Sequence, residues 1–571
     1  MDIITKNLLD DFLQKYEINP IGESEDFEKF CSYSIVSKEY NDEFSLDDVS
    51  TYKNQGVDSI AIIVNGHLVN AIEEIDDIID LNKYLDITFI FIQAKTSSKF
   101  EGTEIGNFIF TVKDFFKETS ELPMNEAVKK FTRLKNCLFQ NFPKMTKGNP
   151  TCKLYYVTTG KWVGDKSLQA VIDGNIKELE DTQLFSKVFF EPCDASLIQK
   201  YYRKTSEKVS AEFNFDKFIT LPKIDGVQES YFGIISFGEL RSILIDENGK
   251  IKNVFYDNVR DYLGENEVND KINKTIQSKK YDLFTVLNNG ITIVADEKSN
   301  KGNDFFISNY QVVNGCQTSH VLFKNKDLDG INITNIPLRL IITSDENIKT
   351  QITLATNRQT SITEEQLAAF SEFQKNLELY YYASKGNTKL YYERRTGQYN
   401  TDPKVIKTRI VTIKNQIKVF ASMFLNKPHL VSGYYGKVYK SVEENIFKEG
   451  HKYSPYYTSG LTAYVLEYCF RIKSVDTKYK KARYHILMLF RMIVNNEQLP
   501  GFNSNDLDKY CSKILEVLND NDQSLEVFSK VINILDESGI DINNQKLLYQ
   551  KSSTDTLIEK FNEKYMPKKN E

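Results

Sequence analysis

The sequence predicts a multidomain α/β protein: an N-terminal mixed sheet flanked by helices, a central α+β domain and a mainly helical C-terminal domain. Three observations carry this. The chain has 571 residues, which at roughly 100–200 residues per domain makes several domains. Apolar runs of strand length alternate with helical patterns up to about residue 205, the pattern of a sheet covered on its faces. Beyond about residue 370 the apolar spacing is helical almost throughout. The expected domains are 1–205, 206–370 and 371–571.

In chain order, a first helix is expected over Leu8–Tyr16 and a second after Ser24, where Ser24, Glu25 and Asp26 resemble an N-cap with an acidic first turn. Strands follow at Ser59–Val64, Ile87–Gln93, Lys153–Thr158 and Lys187–Glu191, all rich in β-branched and aromatic residues. Helices Asn125–Gln140 and Ser167–Leu179 alternate with them. The acidic insert His67–Asp86 reads as a solvated helix face. In the central domain strands are expected at Tyr231–Ser236, Leu283–Asn288, Ile291–Ala295, Phe305–Val313 and Pro337–Thr343, with Asn288-Asn289-Gly290 as a tight turn. Amphipathic helices are expected at Thr363–Tyr382, Lys404–Phe424, Thr458–Ile472, Tyr484–Val494, Asp506–Leu518 and Leu525–Leu535.

Composition excludes several classes. Hydrophobic residues at 41%, with 37 Phe and 33 Tyr, give ample core, so the chain is not disordered. A net charge of −6 excludes a highly basic coat-like nucleic-acid protein but leaves room for a local basic groove. No apolar stretch is long enough to span a bilayer, and the start, with Asp2, Asp10 and Asp11, does not read as a secretory leader. No membrane partner and a cytoplasmic location are therefore expected. Seven scattered cysteines without a CxxC pair argue against a structural zinc site or a disulfide framework.

The sharpest chemistry is in the first domain. Asp58 immediately precedes one apolar strand, and a second runs directly into Gln93-Ala94-Lys95. Residues two apart in a strand share a face, so Gln93 and Lys95 project together while Ala94 turns to the core, and Asp58 reaches the same spot. A carboxylate and a carboxamide oxygen suit Mg²⁺ or Mn²⁺, and an ammonium beside them suits a phosphodiester. Glu28 in the second helix is an extra acid for the same site. Taken singly, each of these residues is more commonly a turn or edge group.

The order Asp58…Gln93-x-Lys95 resembles the PD-(D/E)xK nuclease superfamily in its Mrr-type variant, where Gln replaces the second acid. That resemblance implies a restriction-endonuclease-like sheet, a catalytic set of Asp58, Gln93, Lys95 and Glu28, metal held by Asp58 and Gln93, and nucleic acid as partner, DNA ahead of RNA. The missing acid leaves a non-catalytic binding module as the alternative. Further on, Asp257-Asn258-Val259-Arg260-Asp261-Tyr262-Leu263-Gly264, Leu287-Asn288-Asn289-Gly290-Ile291-Thr292-Ile293, Val312-Val313-Asn314-Gly315-Cys316-Gln317-Thr318, Ala355-Thr356-Asn357-Arg358-Gln359 and Tyr391-Tyr392-Glu393-Arg394-Arg395 resemble the AIPR family, the abortive infection phage resistance proteins of bacteria. This implies a defence role and a phage-derived trigger, and leaves a homodimer open. The middle segments are also distantly similar to ParB-like and DGQHR-type domains, where such turns line a polar pocket.

Read from the residues, Asn314-Gly315 frees backbone N–H groups and a helix starting near Gln317 presents its N-terminus, an anion site. Arg260 and Arg358 add donors suited to phosphate, and Asn288, Asn289, Asn357 and Gln359 can read bases or satisfy their own loops. Residues 385–418 carry nine Lys or Arg, including Arg394 and Arg395, against Glu393 and Asp402, with Tyr391, Tyr392 and Tyr399 interleaved. That pattern suits a nucleic-acid track.

Overall fold

The first sheet is built on two strands with no solvated face. In β1 (Ser59–Val64) every residue is buried, and in β3 (Ile87–Lys95) only Thr88 and Lys95 are part-exposed. Near-continuous apolar runs of this kind belong to strands covered on both sides. The strand order is β2-β1-β3-β4-β5, with β2 His67–Leu68, β4 Thr151–Thr158 and β5 Lys187–Cys193. β1 is antiparallel to β2 and β3, whereas β3, β4 and β5 are parallel. One face is covered by α1 (Ile3–Lys15), α2 (Glu23–Glu39) and α8 (Ala195–Lys204), around Phe12, Phe30, Ile90 and Ile92. The other is covered by α4 (Ile72–Asn82), α5 (Gly102–Phe116), α6 (Glu126–Gln140) and α7 (Lys166–Glu180), around Phe89, Phe91 and Phe108. The short α3 (Leu46–Val49) precedes β1.

This computed structural model describes all residues except 41–42, 53–55, 248, 250, 253, 256–266, 346–347, 350, 353–354, 356–371, 395–396, 401, 432–434, 543 and 567–571. By internal packing the chain forms two compact units. One joins Met1–Ser206 to Phe373–Arg394 and Asp402–Glu571; the other holds Glu207–Glu372 and Arg395–Thr401.

The second unit is a six-stranded mixed sheet in the order β6-β10-β9-β11-β8-β7. Its strands are β6 Ser210–Asn214, β7 Lys217–Thr220, β8 Glu229–Ser236, β9 Ile291–Lys301, β10 Asp304–Asn314 and β11 Asn335–Ile342. Helices α9 (Phe237–Leu244), α10 (Glu267–Gln277), α11 (Tyr281–Leu287) and α12 (Cys316–Lys324) accompany them. The C-terminal part of the first unit packs helices Glu372–Tyr382, Ile413–Phe424, Ser454–Arg471, Arg483–Val494, Asn505–Leu518 and Asn521–Glu537, beside a two-stranded pairing of Tyr391–Glu393 with Ile410–Thr412. The molecule is thus a multidomain mixed α/β protein with a helical C-terminal region. Among the described residues no helix is long and apolar enough to cross a membrane.

Several local expectations need correction. The second helix starts at Glu23 with Gly22 as its N-cap, not Ser24, and the Asp26 carboxylate accepts from the Ile21 and Gly22 N–H groups. Leu283–Asn288 is not a strand: α11 covers it, burying Tyr281 and Phe284 and exposing Leu283, Val286 and Leu287. The Asn288-Gly290 turn therefore links a helix to a strand. Lys404–Phe424 is α-helical only from Ile413, because after a 3-10 turn at Lys407–Arg409 the segment Ile410-Val411-Thr412 is a strand, and the Thr412 hydroxyl caps the helix by accepting from Asn415 N–H. The insert His67–Asp86 forms β2 and α4, and it is only partly solvated: Asp76 and Asp80 face water, Asp77 is buried, and Glu74 accepts from the Asn70 and Ala71 N–H groups.

Candidate active site

Asp58 stands just before β1 because Gly56 makes the turn. Gly56 has φ +87°, and a Cβ there would lie 2.3 Å from the Thr111 hydroxyl of α5. The turn is tied down by the Thr51 hydroxyl, which donates to Val57 O at 2.5 Å and Asp58 O at 3.0 Å. Asp58 N–H donates to Ile92 O, continuing the β1–β3 ladder, and the Asp58 carboxylate returns to β3 by accepting from Ala94 N–H at 2.7 Å.

Gln93 and Lys95 lie at the end of β3, in register with Tyr156 and Thr158 of β4. Ala94 turns to the α2 side, where it joins that cluster. Gln93 is only 4% exposed, and its carboxamide oxygen is buried without a hydrogen-bond partner. Such an orphaned acceptor is costly unless something occupies its lone pairs. The Lys95 ammonium lies 3.2 Å from Glu104 on α5. Glu28 comes from the second turn of α2, and Ser32, on the same helix, joins it to β1 through a hydroxyl–hydroxyl bond with Ser59 at 2.7 Å.

Electrostatics link Asp58 to Glu28 and Lys95. Burial pushes the Asp58 carboxyl up to about 7, and the negative charge of Glu28 pushes in the same direction; the Ala94 N–H and the Lys95 charge oppose them. Burial also pushes the Tyr156 phenol up, with Glu104, Glu101 and Asp58 adding to the effect. Asp58 thus feels the charges of Glu28 and Lys95, and Gln93 precedes Ala94, whose N–H holds the Asp58 carboxylate. Sequence reasoning missed Glu104 and Tyr156; the spacing of Glu104 nine residues after Lys95 carries no signal of contact. The Asp58 and Glu28 carboxylates and the Gln93 carboxamide oxygen are hard donors of the kind that suit a divalent ion keeping several waters. Among the described residues no cluster of three or more His, Cys, Asp or Glu could hold a metal ion.

The central residues fall elsewhere. Asn288 accepts from Gly290 N–H at 2.9 Å and donates to the Thr318 hydroxyl at 3.1 Å, so it serves its own turn. Asn289 is exposed and Asn314 half-buried. Gln317 lies in the first turn of α12, after Gly315 at φ +92°, and both polar atoms of its amide are buried without a partner. Arg394 lies against Glu378, and Arg409 of the same basic stretch against Glu17. Tyr392 is fully buried, its hydroxyl on Gln374. Part of the basic, aromatic run thus serves the fold. Arg260, Asn357, Arg358, Gln359 and Arg395 lie outside the described residues.

A multidomain α/β chain with an acidic pocket at a sheet end is a broad class, and comparison narrows it. A family model described as AIPR protein matches residues 255–556, more than half of the chain. The chain belongs to the AIPR family, and membership supports a role in bacterial abortive infection against phage. The matched span leaves the Asp58 pocket outside it. No curated protein and no solved structure matches the chain.

Proposed function

We propose that the N-terminal domain is a Mg²⁺-dependent nuclease, acting on DNA ahead of RNA, through which the chain takes part in abortive infection. The carrying observation is the orphaned Gln93 carboxamide oxygen beside an acid, Asp58, whose charge is disfavoured in the pocket. Asp58, Glu28 and Gln93 would hold the ion. When bound, it supplies an activated water and neutralises charge at the phosphate. Lys95 places an ammonium where negative charge develops on the scissile group. The Ala94 N–H fixes the Asp58 carboxylate, so this donor is oriented before substrate arrives.

The test is cleavage of single- and double-stranded DNA and of RNA with Mg²⁺ by wild type, Asp58→Ala and Lys95→Ala. Both variants are expected to lose about 100-fold or more. Equal cleavage by all three, or none by wild type on any substrate, overturns the reading.

A second reading concerns the central unit. The buried, unpartnered Gln317 amide behind an uncapped helix start favours a small polar ligand there, of nucleotide class. Nucleoside triphosphates at 100 Kd would stabilise the chain by about 2.7 kcal/mol, and a thermal-shift series that moves wild type but not Gln317→Ala supports it.

A further inference from the structure

Lys95 acts on one carboxylate and is paired with another. Its charge acts on Asp58, yet its ammonium is paired with Glu104 at 3.2 Å. The pair is open to water, with side chains 38% and 43% exposed. An ion pair this exposed contributes little to stability, so holding the fold does not account for it. Its carriers, by contrast, are fixed. Lys95 closes β3 between β1 and β4. Glu104 sits in the first turn of α5, followed by Ile105, Phe108, Ile109 and Val112, all fully buried. Glu104 and Asp58 both act on the Tyr156 phenol.

The competing position for Lys95 is plain. Asp58 and Glu28 repel each other, and an ammonium swung onto them would relieve that repulsion. It would also fill the seat of a divalent ion with a monovalent one. We propose that Glu104 is a positioning residue: it holds the Lys95 ammonium on the α5 side of the site and so keeps that ammonium off the Asp58 carboxylate and the Gln93 carboxamide oxygen, where a divalent ion would bind. This rests on the metal-dependent reading of the pocket.

The experiment measures Mn²⁺ affinity of the full chain by calorimetry for wild type, Glu104→Gln, Lys95→Ala and the double variant, beside metal-free crystal structures of wild type and Glu104→Gln. Glu104→Gln is expected to weaken Mn²⁺ binding about tenfold, the low end for loss of an outer-shell partner, with an unchanged melting temperature. In the Lys95→Ala background the same substitution should change nothing, because the competing ammonium is gone. The metal-free variant should show Lys95 within hydrogen-bond reach of Asp58 or Glu28. An equal loss of affinity in both backgrounds means that Glu104 acts on the ion directly and overturns the proposal; so does Lys95 staying in place in the Glu104→Gln crystal. A wild type that binds no Mn²⁺ sinks the metal reading, and the two crystal structures then decide the role of Glu104 by themselves.

Discussion

At the residue scale the pocket is governed by Asp58. Its carboxyl titrates near 7 in the folded chain against 3.8 for the free group. A protonated Asp58 donates no charge to a divalent ion, so Mg²⁺-dependent cleavage should fall as pH drops below about 7, which a rate profile between pH 5 and 9 measures. The same shift has a stability consequence of opposite sense. The folded state binds the proton more tightly than the unfolded chain, so between about pH 4 and 7 stability declines as pH rises. Asp58→Asn should therefore melt higher than wild type at pH 8, with no gain at pH 4; an equal melting temperature at pH 8 would contradict the buried charge. The placement of Asp58 before β1 and of Gln93 and Lys95 at the end of β3 was legible in the sequence, because strand alternation fixes which side chains share a face. Glu104 was not, because its approach to Lys95 depends on where α5 packs.

At the element scale, β1 and β3 were readable because both are apolar throughout, the mark of strands covered on two sides. α5 left no such mark: Gly102, Gly106, Ile105, Ile109, Thr111 and Val112 are poor helix formers, and burial against the sheet overrides their preference. α11 misled for a related reason, since its exposed Leu283, Val286 and Leu287 imitate a strand. The junction of α5 with the Asp58 turn makes a prediction. Gly56→Ala combines a positive φ with a Cβ 2.3 Å from the Thr111 hydroxyl. It should cost about 1–3 kcal/mol in urea unfolding, and Thr111→Gly in the same chain should return the steric part of that loss.

At the scale of the whole molecule, the two ends of the chain build one unit, and carboxylates of the first part tie it to the last: Asp47 pairs with Lys480, and Glu17 gathers four partners. Glu17 follows α1 with φ +48°. It accepts from the Arg409 guanidinium at 3.1 Å, Arg471 at 2.9 Å, the Tyr464 hydroxyl at 2.9 Å and the Thr408 hydroxyl at 2.5 Å. Burial pushes its carboxyl up, but the two hydroxyls and two guanidiniums outweigh this and hold it below 4.5. Stability from Glu17 is thus present above about pH 4.5 and lost as pH falls through its folded value. Glu17→Ala strands two part-buried guanidiniums and should cost about 3 kcal/mol in urea unfolding at pH 7, a difference that shrinks toward pH 3. No pattern in the sequence announces this contact, because its partners are separated by 392 and 454 positions.

That separation orders events during synthesis. Glu17 leaves the ribosome early and Arg471 late, so the residues of the first sheet are synthesised while the helices that clamp Glu17 are still unmade. A chain cut short before Arg409 would lack both guanidiniums that clamp Glu17.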